Sequence, residues 1–272
     1  MDRGADYWAK VLESELRNPQ PTWRAYVDAL HEALLTRWLS GRERHRLLKT
    51  DLFEEAVGNG LHSVLRQSAR MAVGMDVSWR LTGVACSRQD KLLGIAADSR
   101  RLPFITASFD GIISISTLDH FASSEGLQCS LLEIARVLRP GGILILTLDN
   151  PANPIIALRQ HLPFTLLNRL RIVPYYVGYT CGPRRLRNLL VEAGFDIAEM
   201  AAVVHCPRVL AIPLARWFDR HGTPRGRARL GRALKRFESL AAWPTRFRTG
   251  HFIAVKAIRR DSDSAILPVS PK

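Results

Sequence analysis

The sequence predicts an α/β fold, a doubly wound and mostly parallel sheet with helices on both faces. Three observations predict it. Short apolar runs alternate with amphipathic stretches at βαβ spacing between residues 47 and 150. A glycine turn, Gly58-Asn59-Gly60, stands where a strand would hand over to a helix. Acids close successive apolar runs at Asp76 and Asp98, and in an open parallel sheet the carboxyl ends of the strands hold nucleotide-like ligands.

The elements follow in chain order. Residues 1–46 read as helical, with Thr22 as N-cap. Trp23, Tyr26, Val27, Leu30, Leu34, Leu35 and Trp38 then recur at helical spacing, and Gly41 ends the run. Both a helix packed on the core and one wall of a substrate pocket fit this stripe. Leu52 and Phe53 are expected as the first strand, just before the glycine turn. Residues 61–70 continue as a helix with Leu61, Val64 and Leu65 on one face, and 71–75 form the second strand, ending on Asp76. A helix over 79–86 and strands over 92–97 and 111–116 come next. A helix over 131–138 is closed by Arg139-Pro140-Gly141-Gly142, and 143–148 form the fifth strand.

Composition bounds the function. The net charge of the 272 residues is +14, carried by arginine, since lysine occurs only six times. Such a balance suits an anionic partner or surface, and a plain compositional bias toward arginine fits it equally. Cys86, Cys129, Cys181 and Cys206 are scattered without C-x-x-C spacing. That predicts neither a disulfide framework nor a metal site, and points to a reducing compartment. Asp2, Arg3, Asp6 and Lys10 stand where a signal peptide would carry its apolar region, and no apolar run approaches the roughly 18 residues of a membrane span. A cytoplasmic protein is expected.

The order and spacing of these motifs carry a resemblance: an acid before a G-x-G turn, an acid after strand two, an acid before Leu102-Pro103-Phe104, then Ser108-Phe109-Asp110, then EIARVLRPGG and a fifth strand. The chain resembles the class I S-adenosylmethionine-dependent methyltransferases, in their methyltransferase type 11 branch. The resemblance covers roughly residues 47–150, with Ala193-Gly194-Phe195 and the late strand 252–257. It implies a Rossmann-like sheet of seven strands and S-adenosylmethionine as cofactor. Glu54 then matches the acid near the methionine part, and Gly58 and Gly60 the glycines that let the backbone approach it. Asp76 matches the acid on the ribose hydroxyls, Asp98 the acid that meets the adenine amino group, and Ser99 the residue facing the adenine ring. Ser116 and Thr117, with Leu118, match the segment beneath the sulfonium. Two departures stand out: Ala56 replaces a third glycine, and Glu54 and Glu55 double the usual single acid. The rival on this stretch is a nicotinamide dinucleotide site, because 58–63 nearly fits G-x-G-x-x-G. The two acids before the turn, and Ser63 in the third glycine position, oppose it.

Methyl transfer from a sulfonium needs two reactants held in line. A base is required only where the acceptor must lose a proton. His120, after strand four, is the catalytic candidate, with Asp119 beside it to orient the ring. A ring that packs on the next helix fits the same position. The N/D-P-P-F/Y motif of base-amine methylases is replaced by STLDHF, so a small-molecule or lipid-like acceptor is expected before a nucleic acid.

Two insertions remain. Residues 151–192 form a cap with no acid from 151 to 191, and with Arg159, Arg169, Arg171, Arg184, Arg185 and Arg187 among apolar residues and Tyr175, Tyr176 and Tyr179. This suits an acceptor with an aromatic or long-chain body and an acidic group, and an ordinary helical hairpin over the sheet edge equally. Residues 206–249 hold eleven basic residues against Asp219 and Glu238, interleaved with apolar ones. Plain packing, peripheral contact with a membrane surface and contact with RNA phosphates all fit an amphipathic basic segment. The expected division is a helical segment at 1–46, a methyltransferase core at 47–205 containing the cap, the basic insertion at 206–249, a last core strand at 250–260 and a loose tail at 261–272.

Overall fold

The computed structural model describes residues 4–41, 44–169, 173 and 175–261. Two helices come first, α1 (Ala5–Arg17) and α2 (Pro21–Leu39). The core opens with β1 (Arg44–Lys49), the short α3 (Phe53–Val57), α4 (His62–Ser68), β2 (Ala69–Asp76), α5 (Trp79–Arg88) and β3 (Leu93–Ala96). It continues through β4 (Phe109–Ile115), a 3-10 turn at Leu118–His120, α6 (Ser124–Val137) and β5 (Leu138–Asp149). Then come α7 (Pro154–Gln160), α8 (Phe164–Arg169), α9 (Pro183–Glu192) and β6 (Phe195–Val203). The chain closes with α10 (Arg208–His221), α11 (Pro224–Lys235), a 3-10 stretch at Arg236–Ala242, α12 (Arg246–Thr249) and β7 (Phe252–Arg259).

Among the described residues the strands form one seven-stranded sheet in the order β3-β2-β1-β4-β5-β7-β6. β1 to β5 run parallel, and β7 pairs antiparallel with both β5 and β6. The strand order reverses between β1 and β4, which opens a crevice at their carboxyl ends. Alternation along the strands sends Leu48, Ile112, Leu144 and Leu146 to a core shared with α6 and α9. Their neighbours Leu47, Ile113 and Ile145 go to the opposite core, against Leu35 and Trp38 of α2 and Leu61 and Leu65. Strands buried on both faces read as continuous apolar runs, which is why these were legible.

The first strand differs from the expectation. β1 lies at 44–49, while Leu52 caps α3 and Phe53 begins it. A strand ending in a fully buried lysine, Lys49, is invisible to an apolar pattern. At the other end of β4, residues 139–142 form a bulge inside β5, which already pairs with Phe109 through Leu138 before the register shifts to Gly111–Ile143. Thr22 is not the N-cap of α2. The helix starts at Pro21, where Pro needs no N–H partner, and the Thr22 hydroxyl donates to the Asp219 carboxylate of α10 instead. The loose tail expected at 261–272 lies outside the described residues from 262 onward, as does Arg171 of the cap.

Candidate active site

A cavity of about 930 Å³ opens at the carboxyl ends of the parallel strands. One or two residues at or past each strand line it: Thr50 and Asp51 after β1, Asp76 on β2, Asp98 after β3, Ser116 and Thr117 after β4, and Asp149 on β5. α1 and α2 close one side through Trp8, Arg24 and Asp28, and the 155–177 and 205–216 segments close the other.

The loop after β1 is built on Lys49. Its ammonium, buried in the core, donates to the Asp51 carbonyl at 2.8 Å, to Asp51 Oδ1 at 2.9 Å and to Glu55 Oε2 at 2.9 Å. Glu55 Oε1 in turn accepts from Leu61 N at 2.9 Å, so the ion pair fixes both ends of the loop and of α3. Asp51 Oδ2 accepts from the Thr117 hydroxyl at 3.1 Å, bridging the first and fourth strand ends. The acid that follows β1 is therefore Asp51, which the sequence reading missed in favour of Glu54.

The structure brings Glu54, Asp76, Asp98, Ser99, Ser116, Thr117 and His120 to this one cavity, and leaves Gly58 and Gly60 outside its lining. α3 intervenes between β1 and the glycines. A Cβ on Gly60 would strike the Glu55 side chain, and its φ of 55° favours glycine, so the loop itself requires this residue. No G-x-G-x-x-G turn joins β1 to a helix, which removes the structural basis of a dinucleotide site. Glu54 pairs with Arg24 of α2. The Asp98 carboxylate is forked by Arg100 at 2.6–3.1 Å; burial pushes its pKa up, but these bonds hold it below the usual carboxylate range. Ser116 sits in the left-handed region at φ 49°, its N–H shared between the Thr147 carbonyl and hydroxyl, both at 3.0 Å. Strained backbone of this kind gathers at functional sites.

His120 is held by two aromatic neighbours and one hydrogen bond. Nδ1 donates to the Tyr176 carbonyl at 2.8 Å, and the ring packs against Trp8 at 4.6 Å and Tyr175 at 5.7 Å. Nε2 is left as the nitrogen with a lone pair. Asp119 does not orient the ring as expected: its Oδ1 stands 3.8 Å from Nε2, and it accepts instead from Ser116 Oγ and from Asp149 N.

Electrostatics divide the cavity into two ends. Burial pushes Asp76 up to about 6, although the Ser78 and Leu52 amides donate to it, and burial followed by the nearby Glu54 pushes Asp28 up to about 7. Asp28 has no hydrogen-bond partner among the described residues. Carboxyls gathered and desolvated in this way suit a positively charged ligand with hydroxyl donors. S-adenosylmethionine, with its ammonium, sulfonium and ribose diol, fits that requirement.

The other end is basic. Asp149 pairs with Arg159 and lies 3.2 Å from His251 Nε2; burial opposes its charge, but His251 and Arg159 hold it below the ordinary range. Burial and the adjacent Arg208 push His251 down to about 4. The Arg208 guanidinium stacks over Trp23 and Phe252 at 5.5 and 5.7 Å. Sequence spacing gave no signal for this group, since Trp23 and Phe252 stand 229 positions apart and Asp149 comes beside His251 and Phe252 only through the antiparallel β5–β7 pairing.

Comparison with known proteins agrees with this geometry. Residues 35–146 match the family described as a methyltransferase domain. The mouse tRNA (carboxymethyluridine(34)-5-O)-methyltransferase ALKBH8 is 36% identical over 85 residues, which is 31% of this chain and 12% of that protein. A probable S-adenosylmethionine-dependent methyltransferase of Mycolicibacterium smegmatis is 24% identical over 229 residues, covering 83% of this chain and 82% of that one. Among solved structures, the [4+2]-cyclase SpnF superposes with a TM-score of 0.62 at 18% identity, over 96% of this chain and 97% of that one. Over residues 35–146 the chain thus matches a methyltransferase domain, and it shares the fold of SpnF over nearly its whole length. Its methyltransferase domain match ends before either insertion begins.

Proposed function

We propose that the protein transfers a methyl group from S-adenosylmethionine to a small-molecule or lipid-like acceptor. The observation that carries this reading is the two-ended cavity: carboxyls at the strand ends, apolar and basic side chains from the insertions opposite. The cofactor supplies an activated methyl on a sulfonium. Asp76 takes the ribose hydroxyls, Asp51 and Glu54 with Asp28 face the positive groups, and Asp98 and Ser99 flank the adenine. Ser116 and Thr117 form the floor beside the methyl, and His120 Nε2 accepts a proton from an acceptor that must lose one. Trp8 and Tyr175 pack against His120, with Phe53 behind them, and limit its exposure to water.

Peripheral contact with a membrane surface through 206–249 is part of this reading. Leu210, Trp217 and Trp243 are more than half exposed beside the arginines of that insertion. Among the described residues no helix is long and apolar enough to cross a membrane. A second reading is a cofactor-binding protein that transfers no methyl. What favours it is the likeness of fold to a protein named as a cyclase.

Calorimetric titration with S-adenosylmethionine and with NADH, followed by S-adenosylhomocysteine release across an acceptor panel, tests both. Binding of the first ligand alone and release with an amphiphilic acceptor are expected. Binding without release across the panel favours the second reading, and absence of binding overturns both.

A further inference from the structure

Among the described residues, the arginines of the cap do not supply the positive end of the cavity. Arg159 is neutralised by Asp149, and Arg169, Arg184, Arg185 and Arg187 stand outside the lining. Three arginines of the other insertion enter it instead: Arg208 and Arg216 on α10, and Arg248 on α12. Among the described residues Arg216 and Arg248 make no ion pair and no side-chain hydrogen bond. Arg208 spends one N–H on His251 Nε2, and its ring stacking fixes the plane of the fork. From residue 149 onward Asp149 is the one carboxylate in the described lining, and Arg159 already meets it. Asp219 and Glu238 are turned away, accepting from Thr22 and from Tyr26 and His205.

Arg208 and Arg216 are part-buried and Arg248 is exposed at the edge of the cavity, so an anion entering it meets three guanidiniums, and a guanidinium matches carboxylate and phosphate oxygens two at a time. Around them the lining is apolar: Leu158, Leu162, Val209 and Phe237 are 64, 39, 47 and 41% exposed and face the opening. An exposed apolar rim around a basic interior selects a molecule with both characters.

We propose that Arg208, Arg216 and Arg248 form an anion-recognition subsite, and that its occupant is an amphiphilic acid. The carboxylate or phosphate of that acid meets the guanidiniums, and its hydrocarbon body lies on α7 and α10. The inference rests on the methyltransferase reading only in calling this occupant the acceptor.

The test is binding of dodecanoate, dodecyl phosphate and dodecanol below their micellar concentrations, followed through tryptophan fluorescence, since Trp23 lies under Arg208. The acids are expected to bind about tenfold or more tighter than the alcohol, and the double variant R208Q/R216Q to lose that preference while keeping affinity for dodecanol and for S-adenosylmethionine within about twofold. Equal binding of acid and alcohol to the unaltered protein overturns the proposal, and so does a preference that survives in the variant. The comparison in the unaltered protein decides the matter even where the double variant fails to fold, and R216Q alone, on a half-exposed helix position, gives a second reading. Sedimentation with phosphatidylglycerol and phosphatidylcholine vesicles separates the sources. Pelleting with the anionic vesicles alone, lost in R208Q/R216Q, assigns a lipid headgroup. Binding of dodecanoate without pelleting assigns a free acid, and neither result overturns the subsite. S-adenosylmethionine titration without binding sinks the methyltransferase reading and leaves the anion preference standing.

Discussion

Two buried charges carry the site at the scale of single residues. Lys49 is fully enclosed with Asp51 and Glu55. Removing one member of a buried ion pair strands the others, so Lys49→Ala is expected to cost about 3–5 kcal/mol, read as a lowered urea midpoint, while Lys49→Arg costs less. Asp76 offers its carboxylate to the cavity from the tip of β2. Asp76→Ala is expected to weaken S-adenosylmethionine by roughly 10–100-fold in calorimetry, the worth of hydrogen bonds to a charged group. An unchanged affinity would place the ribose elsewhere. The contrast between Asp51 and Glu54 shows what sequence reading resolves at this scale. The acids at the ends of β2 and β3 were legible because each follows an uninterrupted apolar run. The acid after β1 was not, because a lysine ends that strand and its charge is compensated only in three dimensions. The glycines two turns later drew the motif toward themselves.

At the scale of elements, the strap from 175 to 179 holds the 3-10 turn that carries His120. Gly178 N donates to the Asp119 carbonyl at 2.7 Å and Tyr179 N to the Phe121 carbonyl at 2.6 Å. A Cβ on Gly178 would land on that Phe121 carbonyl, a backbone atom that cannot turn aside. Gly178→Ala is therefore expected to lift the strap, with methyl transfer falling well before cofactor affinity does. Equal loss of both would show that the strap supports the whole cavity. α10 has two faces, with Ala211 and Ala215 buried against α2 and β7, and Leu210, Leu214 and Trp217 turned out. The apolar-and-basic pattern of this helix was legible. Which face packs was not, since the two buried alanines carry less apolar area than the leucines and tryptophan left outside.

The whole molecule titrates in a way that no single element does. Asp28 and Asp76, pushed up to about 7 and about 6, bind protons in the folded state that an unfolded chain, with its carboxyls near 3.8, would not hold. Their effect is that stability rises as pH falls through this range. His31 and His251, pushed down to about 4 from 6.5, act oppositely below 6.5, where the unfolded chain takes the protons. The thermal midpoint of the ligand-free protein is expected to climb from pH 8 to about 6.5 and then level off. Asp28→Asn should flatten the first limb, and a midpoint rising with pH above 6.5 would contradict this account. Binding of a cation at the acidic end should release protons near pH 7, visible as a dependence of the calorimetric heat on the buffer's ionisation enthalpy.

From β2 onward the order of the elements and the sheet were legible in the sequence, because local periodicity specifies them. The basic end was not. Its arginines belong to the insertion that looked like a surface, and they come to line the cavity because β7 returns between β5 and β6.

That return has a mechanical consequence. Asn150 donates to the carbonyls of Phe247 and Gly250, and Asn153 to those of Thr249 and Gly250. The roots of the two insertions are thus riveted together where one leaves β5 and the other enters β7. The two insertions therefore share one anchored base beside the cavity. For the same reason, a graft that carries 150–251 as a block keeps these four bonds, and one that carries either insertion alone breaks them.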